Sequence, residues 1–463
     1  MDSLLALASQ HADDYLAHVA ERHVGSLIDG PALRSLLGGA LPEHGTDPNT
    51  VIDLLAKAGA DGTVATQGPR YFGFVVGGSL RVATAADWLV SAWDQNAGIY
   101  ALSPLTSVVE EVTVNWLTDL LGLPGHWSAG FVTGGQMANF TCLLAARHHV
   151  FEKAGWDVER HGLIGAPPID VIVSEEAHYS IGTSMRMMGL GADRVQRIPA
   201  DDQGRLRLDA VEAALARGTG PCIVCTQAGN VNTGAFDPIA SIVAAARRRD
   251  AWVHVDGAFG AWAATVPSLR HLVTGIDHAD SVATDAHKWL NVPYDSGIAL
   301  TAHPETHRRT LTVPAAYIQE TATARDPHEF TPEESRRARA IPVYAALRAL
   351  GRTGVGDLIE RCCAVARRMA ARLGPHPSLE ILNDVVLNQV LVRCVPPSGN
   401  EADADRFTDA VIDAVQRDGT CWLGGTRWKG ARAIRISVSN WSTTERDADR
   451  SADAIIRAVD GLR

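Results

Sequence analysis

The chain has 463 residues, 46% of them hydrophobic and 21% charged, with a formal net charge of −11. That length suggests two or three structural units, and the composition is that of an ordinary globular protein able to bury a large core. The negative balance argues against a nucleic-acid partner, and no apolar run reaches the roughly 18 residues of a membrane span.

The N-terminus, MDSLLALASQHADDYLAHVAERH, carries acids where an export signal carries basic residues. A cytoplasmic protein is therefore expected. Seven cysteines without a regular framework fit a reduced compartment. CIVC at Cys222–Cys225 has redox-motif spacing, but its apolar run reads better as a buried strand. No metal-binding motif stands out.

Residues 1–60 read as helices, with Leu4, Leu5, Ala8, His11, Tyr15 and Val19 at helical spacing. The pattern stays helical from about 85 to 123 and closes at Gly122 and Pro124. Short buried strands are then expected at 170–175, 194–199, 222–227, 252–256, 281–285 and 297–302, with helices at 208–217 and 239–250. This alternation predicts an α/β layer with a mostly parallel central sheet, whose ligands gather at the carboxyl ends of the strands. Residues 318–334, IQETATARDPHEFTPEE, read as a long, mobile polar loop. A helical stretch and a mixture of strands and helices follow, a smaller α+β C-terminal domain.

Four pieces in this frame carry chemistry. FVTGGQMANFTCLLAAR starts a helix with a glycine pair, so Gly134, Gly135 and Gln136 can offer backbone N–H groups to a phosphate, although such a pair also serves as a simple turn. His178, just after the strand DVIVSE, can stack on a flat ring or be merely structural. Asp256 closes the strand of VHVDGAFG, where a buried carboxylate needs a cation such as a protonated pyridine, unless it caps a helix. Ala258 is small enough for a ring to lie against it. Lys288 in DAHKW is one of only four lysines, with Lys57, Lys153 and Lys429. Among apolar neighbours its charged form is disfavoured and it becomes a better nucleophile, unless it snorkels to water. A phosphate cradle, a stacking ring, a carboxylate for a pyridinium and an amine for a Schiff base are together what pyridoxal 5'-phosphate needs.

The residues that meet these needs stand in stretches that resemble the pyridoxal-dependent group II decarboxylases, the family that acts on aromatic amino acids, glutamate, histidine and tyrosine. The matching stretches are GPRYFGFVVGGS, YALSPLTSVVEEVTVNWLTDLLGLP, TGGQMANFTCLLAAR, EEAHYS, GNVNTGAFDPI, HVDGAFGAW, DAHKWLNVPYDSG and SRRARAIPVYAALRALG, in family order over about residues 68–351. The resemblance implies a fold-type I, aspartate aminotransferase-like α/β enzyme that decarboxylates an L-amino acid. Lys288 would form the Schiff base, Asp256 would pair with the pyridine nitrogen, and His178 and Ala258 would cover the two ring faces. Gly135, Gln136, Asp285 and His287 would surround the phosphate and the lysine. Phe74, Val75 and Tyr100 fall in stretches that line the substrate pocket, suiting an aromatic or apolar side chain. The implied domains are an N-terminal dimerisation arm (1–70), a large cofactor-binding domain (71–335) and a small C-terminal domain (336–463). The expected assembly is a homodimer.

The chain departs from the family pattern in three places. Asn230 and Val231 replace paired threonines, and Asp285 stands where asparagine is common. The loop before SRRAR lacks the tyrosine held to protonate the carbanion. Aligned from Ser335, that position is Pro327, beside His328, and Tyr317 lies too far upstream. His328 is thus the candidate proton donor for an amine product. An aldehyde-forming oxidative decarboxylase or a carbon–carbon lyase is the alternative on the same cofactor.

Overall fold

The computed structural model describes residues 3–312 and 324–463. They divide into two compact units, one within 79–363 and 383–389, the other within 1–78, 364–382 and 390–463. The larger unit holds a seven-stranded sheet: β1 (Ser128–Val132), β2 (Asp170–Ser174), β3 (Val195–Ile198), β4 (Cys222–Gln227), β5 (Trp252–Asp256), β6 (Ser281–Asp285) and β7 (Gly297–Thr301). Their order across the sheet is β1-β7-β6-β5-β4-β2-β3.

The inner parallel strands carry apolar runs buried on both faces, such as Val171–Val173 and Ile223–Cys225, whereas β3, at the edge, is polar at Gln196 and Arg197 and partly exposed. The helices Leu208–Arg217 and Ile239–Arg247 precede β4 and β5 and make the crossovers that parallel pairing requires. β7 runs antiparallel to both β6 and β1. Only residues 286–296 join β6 to β7, too few for a crossover helix, so the chain turns back beside the strand it has left.

The strands expected from the sequence are present within a residue or two at each end. β1 is an addition, since SAGFV has too few β-branched residues to announce a strand. Cys222 and Cys225 are buried in β4, and three residues apart they face opposite sides of the sheet. Burial pushes the Cys222 thiol up to about 11 and that of Cys225 also upward, so neither favours the thiolate that exchange chemistry needs.

In the smaller unit, helices Ser3–His18, Gly30–Leu37 and Pro48–Gly62 are followed by β8 (Leu379–Ile381), β9 (Gln389–Cys394), β10 (Gly424–Trp428) and β11 (Ala431–Ser437), in sheet order β10-β11-β9-β8. Thr444 opens the last helix, Glu445–Gly461, with a capping box closed by Asp447.

The compact units do not divide at the expected boundaries 70 and 335. Residues 1–78 are tied to C-terminal ones by backbone bonds: Val24 N–H to Gly419 O (2.9 Å), Phe72 N–H to Trp422 O (2.8 Å) and Trp422 N–H to Arg70 O (3.1 Å). The rings of Tyr71 and Trp422 stack at 5.1 Å, so apolar area that a separate arm would leave wet is covered. The helical stretch expected after the loop is Ala340–Leu373, interrupted at Gly351, whose φ of 61° and ψ of 179° no helix contains. No helix among the described residues is long and apolar enough to cross a membrane.

Candidate active site

Three chain segments meet at one end of the large sheet. β5 and β6 are parallel neighbours and deliver Asp256 and Asp285 at their carboxyl ends. Beside them, β1 ends and Gly134 begins the helix Gly135–Lys153, which packs over β5, β6 and β7. Lys288 follows Asp285 by three residues, in the single helical turn Ala286–Trp289. The sheet thereby gathers a helix N-terminus, two carboxyl groups and an amine.

Asp256 is 6% exposed and forms no ion pair among the described residues. Its Oδ2 accepts from Asn139 Nδ2 (3.1 Å) and its Oδ1 from Ala258 N–H (3.2 Å). The same Asn139 amide donates to Ser180 Oγ (3.0 Å), which lies 2.8 Å from His178 Nδ1. Behind it, Asn139 Oδ1 lies 2.9 Å from His254 Nε2, His254 Nδ1 lies 2.9 Å from Ser281 Oγ, and Trp252 Nε1–H donates to Ser281 Oγ (2.9 Å).

These contacts orient one another. Asn139 turns its amino group to Asp256, so its Oδ1, which can only accept, takes the His254 Nε2–H; Nδ1 of the neutral His254 then accepts from the Ser281 hydroxyl, whose oxygen accepts from Trp252. Burial pushes His254 down to about 4, so the imidazole stays neutral and the relay keeps this direction near neutral pH. At His178, Nδ1 also accepts from Ser180 N–H (3.3 Å), which fixes the orientation of the ring.

Asp285 is fully buried, with Lys288 Nζ 2.8 Å from Oδ2 and His287 Nε2 3.4 Å from Oδ1. His287 Nδ1 accepts from Ser296 N–H (3.0 Å), so its proton sits on Nε2, toward Asp285. Desolvation lowers the His287 pKa, against the pull of Asp285, and keeps the ring neutral. The setting expected for Lys288 was apolar. The structure sets it against the buried Asp285 carboxylate, a neighbour that the family resemblance implies but that neither spacing nor hydropathy announces.

The other sequence candidates are placed as follows. Gln136 Nε2 reaches Ser184 Oγ (3.4 Å) and Ser180 O (3.5 Å), on the helix that begins after His178. Phe74 and Val75 belong to the smaller unit, where Phe74 is exposed with its ring 5.9 Å from Trp422 and Val75 is buried. Asn230 shapes a turn, accepting from Asn232 N–H (2.9 Å) and Thr233 N–H (3.2 Å).

Tyr100 and His328 share another neighbourhood. Tyr100 N–H donates to Asp326 Oδ1 (2.7 Å) and His328 N–H to Gly98 O (2.9 Å). His328 is 5% exposed, its Nδ1 has no hydrogen-bond partner among the described residues, and none of its described contacts is with Lys288, Asp256 or His178. The loop expected at 318–334 is thus packed where it is described: Asp326, Pro327 and His328 are buried, and Pro327–Phe330 is a 3-10 turn. Residues 318–323 and Tyr317 lie outside the described residues. Arg336 anchors the segment, donating to Ala97 O (3.0 Å) and Phe131 O (2.7 Å) and pairing with buried Glu110.

Asn139, Ser180, His254 and Ser281 were not singled out in the sequence. Asn139 had a usable signal, since it lies four residues after Gly135 and shares its helix face.

The arrangement fits pyridoxal phosphate on its own chemistry. Asp256 is a buried carboxyl supplied only with neutral donors, and a pyridinium is the cation it lacks. The backbone at the glycine pair can be approached only because no Cβ is there: one built on Gly134 would stand 3.0 Å from His287 Cε1, and one on Gly135 2.5 Å from Asp285 Oδ2.

Comparison with known proteins agrees. The pyridoxal-dependent decarboxylase conserved domain matches residues 32–395. The aromatic-L-amino-acid decarboxylase of Bacillus atrophaeus is 27% identical over 442 residues, covering 93% of this chain and 90% of that protein. The L-2,4-diaminobutyrate decarboxylase of Rhizobium meliloti (strain 1021) is 28% identical over 443 residues, covering 93% and 87%. The crystal structure of Oryza sativa TDC with PLP and tryptamine superposes with a TM-score of 0.92 at 21% identity, covering 99% of this chain and 97% of that one. The chain belongs to the pyridoxal-dependent decarboxylase family and is a fold-type I, pyridoxal-phosphate-dependent amino acid carboxy-lyase.

Proposed function

We propose that this enzyme decarboxylates an L-amino acid with an aromatic or apolar side chain to carbon dioxide and the corresponding amine. The observation that carries the site assignment is the cation-free burial of Asp256 at the end of β5, beside the β6 end that leads into Lys288. Bound pyridoxal phosphate supplies an electron sink for the pair left when the Cα–carboxylate bond breaks. With the cofactor bound, Lys288 would hold it covalently, and Asp256, held in place by Asn139, would keep a proton on its ring nitrogen. His178, oriented by Ser180, and Ala258 would flank its ring, and Gly134, Gly135, Gln136 and His287 would receive its phosphate.

Two features support the substrate class. The relative from Bacillus atrophaeus acts on aromatic amino acids. Arg70, the cation nearest the Phe74 stretch in sequence, is 2% exposed, donates to Thr420 O (2.6 Å) and lies 4.0 Å from Asp447 Oδ1, so it is not free to receive an acidic side chain. A screen of amino acids for carbon dioxide release should show tryptophan, tyrosine or phenylalanine turning over at least about tenfold faster in kcat/KM than glutamate or 2,4-diaminobutyrate, the discrimination that a buried apolar side chain supplies. The reverse order would place the chain with the diaminobutyrate enzymes. The absence of tyrosine from residues 318–334 favours a second reading, oxidative decarboxylation, and aldehyde in place of amine in the same screen would establish it.

A cytoplasmic homodimer completes the proposal. All seven cysteines are buried and unbridged, which fits a reducing compartment. Val82, Trp88, Leu89 and Trp93 lie exposed along one helix, with Leu102, Leu105 and Val108 exposed after it, an apolar surface suited to a second copy. Sedimentation at micromolar concentration should give a dimer, and an active monomer would refute that assembly.

A further inference from the structure

Trp252, His254 and Asp256 alternate along β5 and so share one face of the sheet, and the register sets Ser281 of β6 opposite His254. His254 is 0% exposed, and no step of the proposed reaction uses it. A buried imidazole is costly unless both nitrogens are paired, and here both are: Nδ1 with Ser281 Oγ and Nε2 with Asn139 Oδ1, each at 2.9 Å.

Asn139 stands between this ring and Asp256. Its amino group serves Asp256 Oδ2 and Ser180 Oγ, and its Oδ1 takes the His254 N–H. In this orientation every polar atom of the Asn139 side chain has a partner. Without a donor at position 254, the buried Oδ1 would lose its partner. A half-turn of the amide would recover one from the Ser180 hydroxyl, but it would face Oδ1 toward Asp256. Two acceptors would then meet, and the carboxylate would take up a proton to bond the amide oxygen. A protonated Asp256 cannot keep a proton on a ring nitrogen.

We propose that His254 is a positioning residue: by donating Nε2–H to Asn139 it holds the amide's amino group on Asp256, and so keeps Asp256 a carboxylate able to pair with the cofactor's ring nitrogen. This rests on the pyridoxal-phosphate reading of the site and adds to it a residue that acts through Asn139, without touching the cofactor. The role needs a hydrogen-bond donor and no change of charge, so glutamine at this position, whose amino group can reach toward Asn139 and whose oxygen can accept from Ser281, should perform it.

The test compares pyridoxal 5'-phosphate with its 1-deaza analogue, in which C–H replaces the ring nitrogen. Both keep the aldehyde and the phosphate, so the ratio of their affinities isolates the contact made by Asp256. The full chain, stripped of cofactor, is titrated with each and followed by chromophore absorbance and tryptophan fluorescence. The unaltered protein should prefer the natural cofactor at least about tenfold, the scale of one hydrogen bond to a charged group. His254→Leu should cut that preference at least about fivefold, and His254→Gln should change it less than about twofold, since only the first removes the donor. A preference that survives His254→Leu, or that His254→Gln reduces as far as His254→Leu does, overturns the proposal. Should the leucine variant fail to fold, Asn139→Ala removes the next link, and an unchanged preference there overturns the proposal equally. An unaltered protein that binds neither compound, or binds both alike, refutes the cofactor reading of Asp256 and this inference with it. A preference present but indifferent to His254 refutes the inference alone.

Discussion

Lys288→Ala is expected to abolish the cofactor adduct that borohydride fixes to the chain, and amino acid turnover with it. The chain has three other lysines, and none is a comparable site. Lys153 is an exposed partner of Asp250 at 2.6 Å, Lys57 lies on an N-terminal helix, and Lys429 sits in the turn between β10 and β11. Only Lys288 stands in the turn after β6, beside a buried carboxylate and next to a strand that ends in another. The Schiff base splits one difficult step into easier ones, so its loss should cost turnover several orders of magnitude rather than a fraction. Peptide mapping after borohydride treatment locates the adduct. An adduct that persists on Lys57, Lys153 or Lys429 in the variant would remove the centre of the assignment.

Asp256→Asn should lower turnover roughly 10²–10³-fold while the protein stays folded, the scale of losing one preorganised electrostatic contact in a water-poor site. The substitution removes the charge proposed to keep the ring nitrogen protonated, and the electron sink weakens. It also has a structural cost. Asp256 accepts from both Asn139 and Ala258, so an asparagine there must turn its own amino group toward one of two donors. That donor–donor contact should lower stability by about 1–3 kcal/mol. The two effects separate by measurement: thermal melts read the second, and kcat of the folded, cofactor-loaded variant reads the first. Turnover equal to the unaltered enzyme would make the carboxyl purely structural.

Much of this was legible in the sequence. The apolar runs of β4, β5 and β6 marked the strands, and their last residues, Asp256 and Asp285, fell at the carboxyl ends where α/β sheets collect ligands. The scarcity of lysine singled out Lys288, and the glycine pair marked the start of a helix. These features are local. A strand's hydropathy, a helix's opening and a residue's rarity need no knowledge of what lies opposite in space.

What the tertiary structure alone decided is pairing. The sheet order β1-β7-β6-β5-β4-β2-β3 and the reversal at β7 depend on which strand finds which neighbour, and SAGFV became a strand only because β7 offered it an edge. Asn139, Ser180, His254 and Ser281 come from four separate elements, and their relay exists only because a helix lies across β5 and β6. The same holds for charge. In sequence Lys288 has apolar and aromatic neighbours, but the helical turn Ala286–Trp289 swings it back over Asp285, three residues earlier, whose carboxylate lies beside Gly135. His328 shows the converse, a loop histidine in composition that packing buries at the edge of the sheet. Hydropathy and spacing carry the tendency of each segment, while hydrogen bonds and ion pairs fall off within a few ångströms and so depend on contacts that only the folded chain makes.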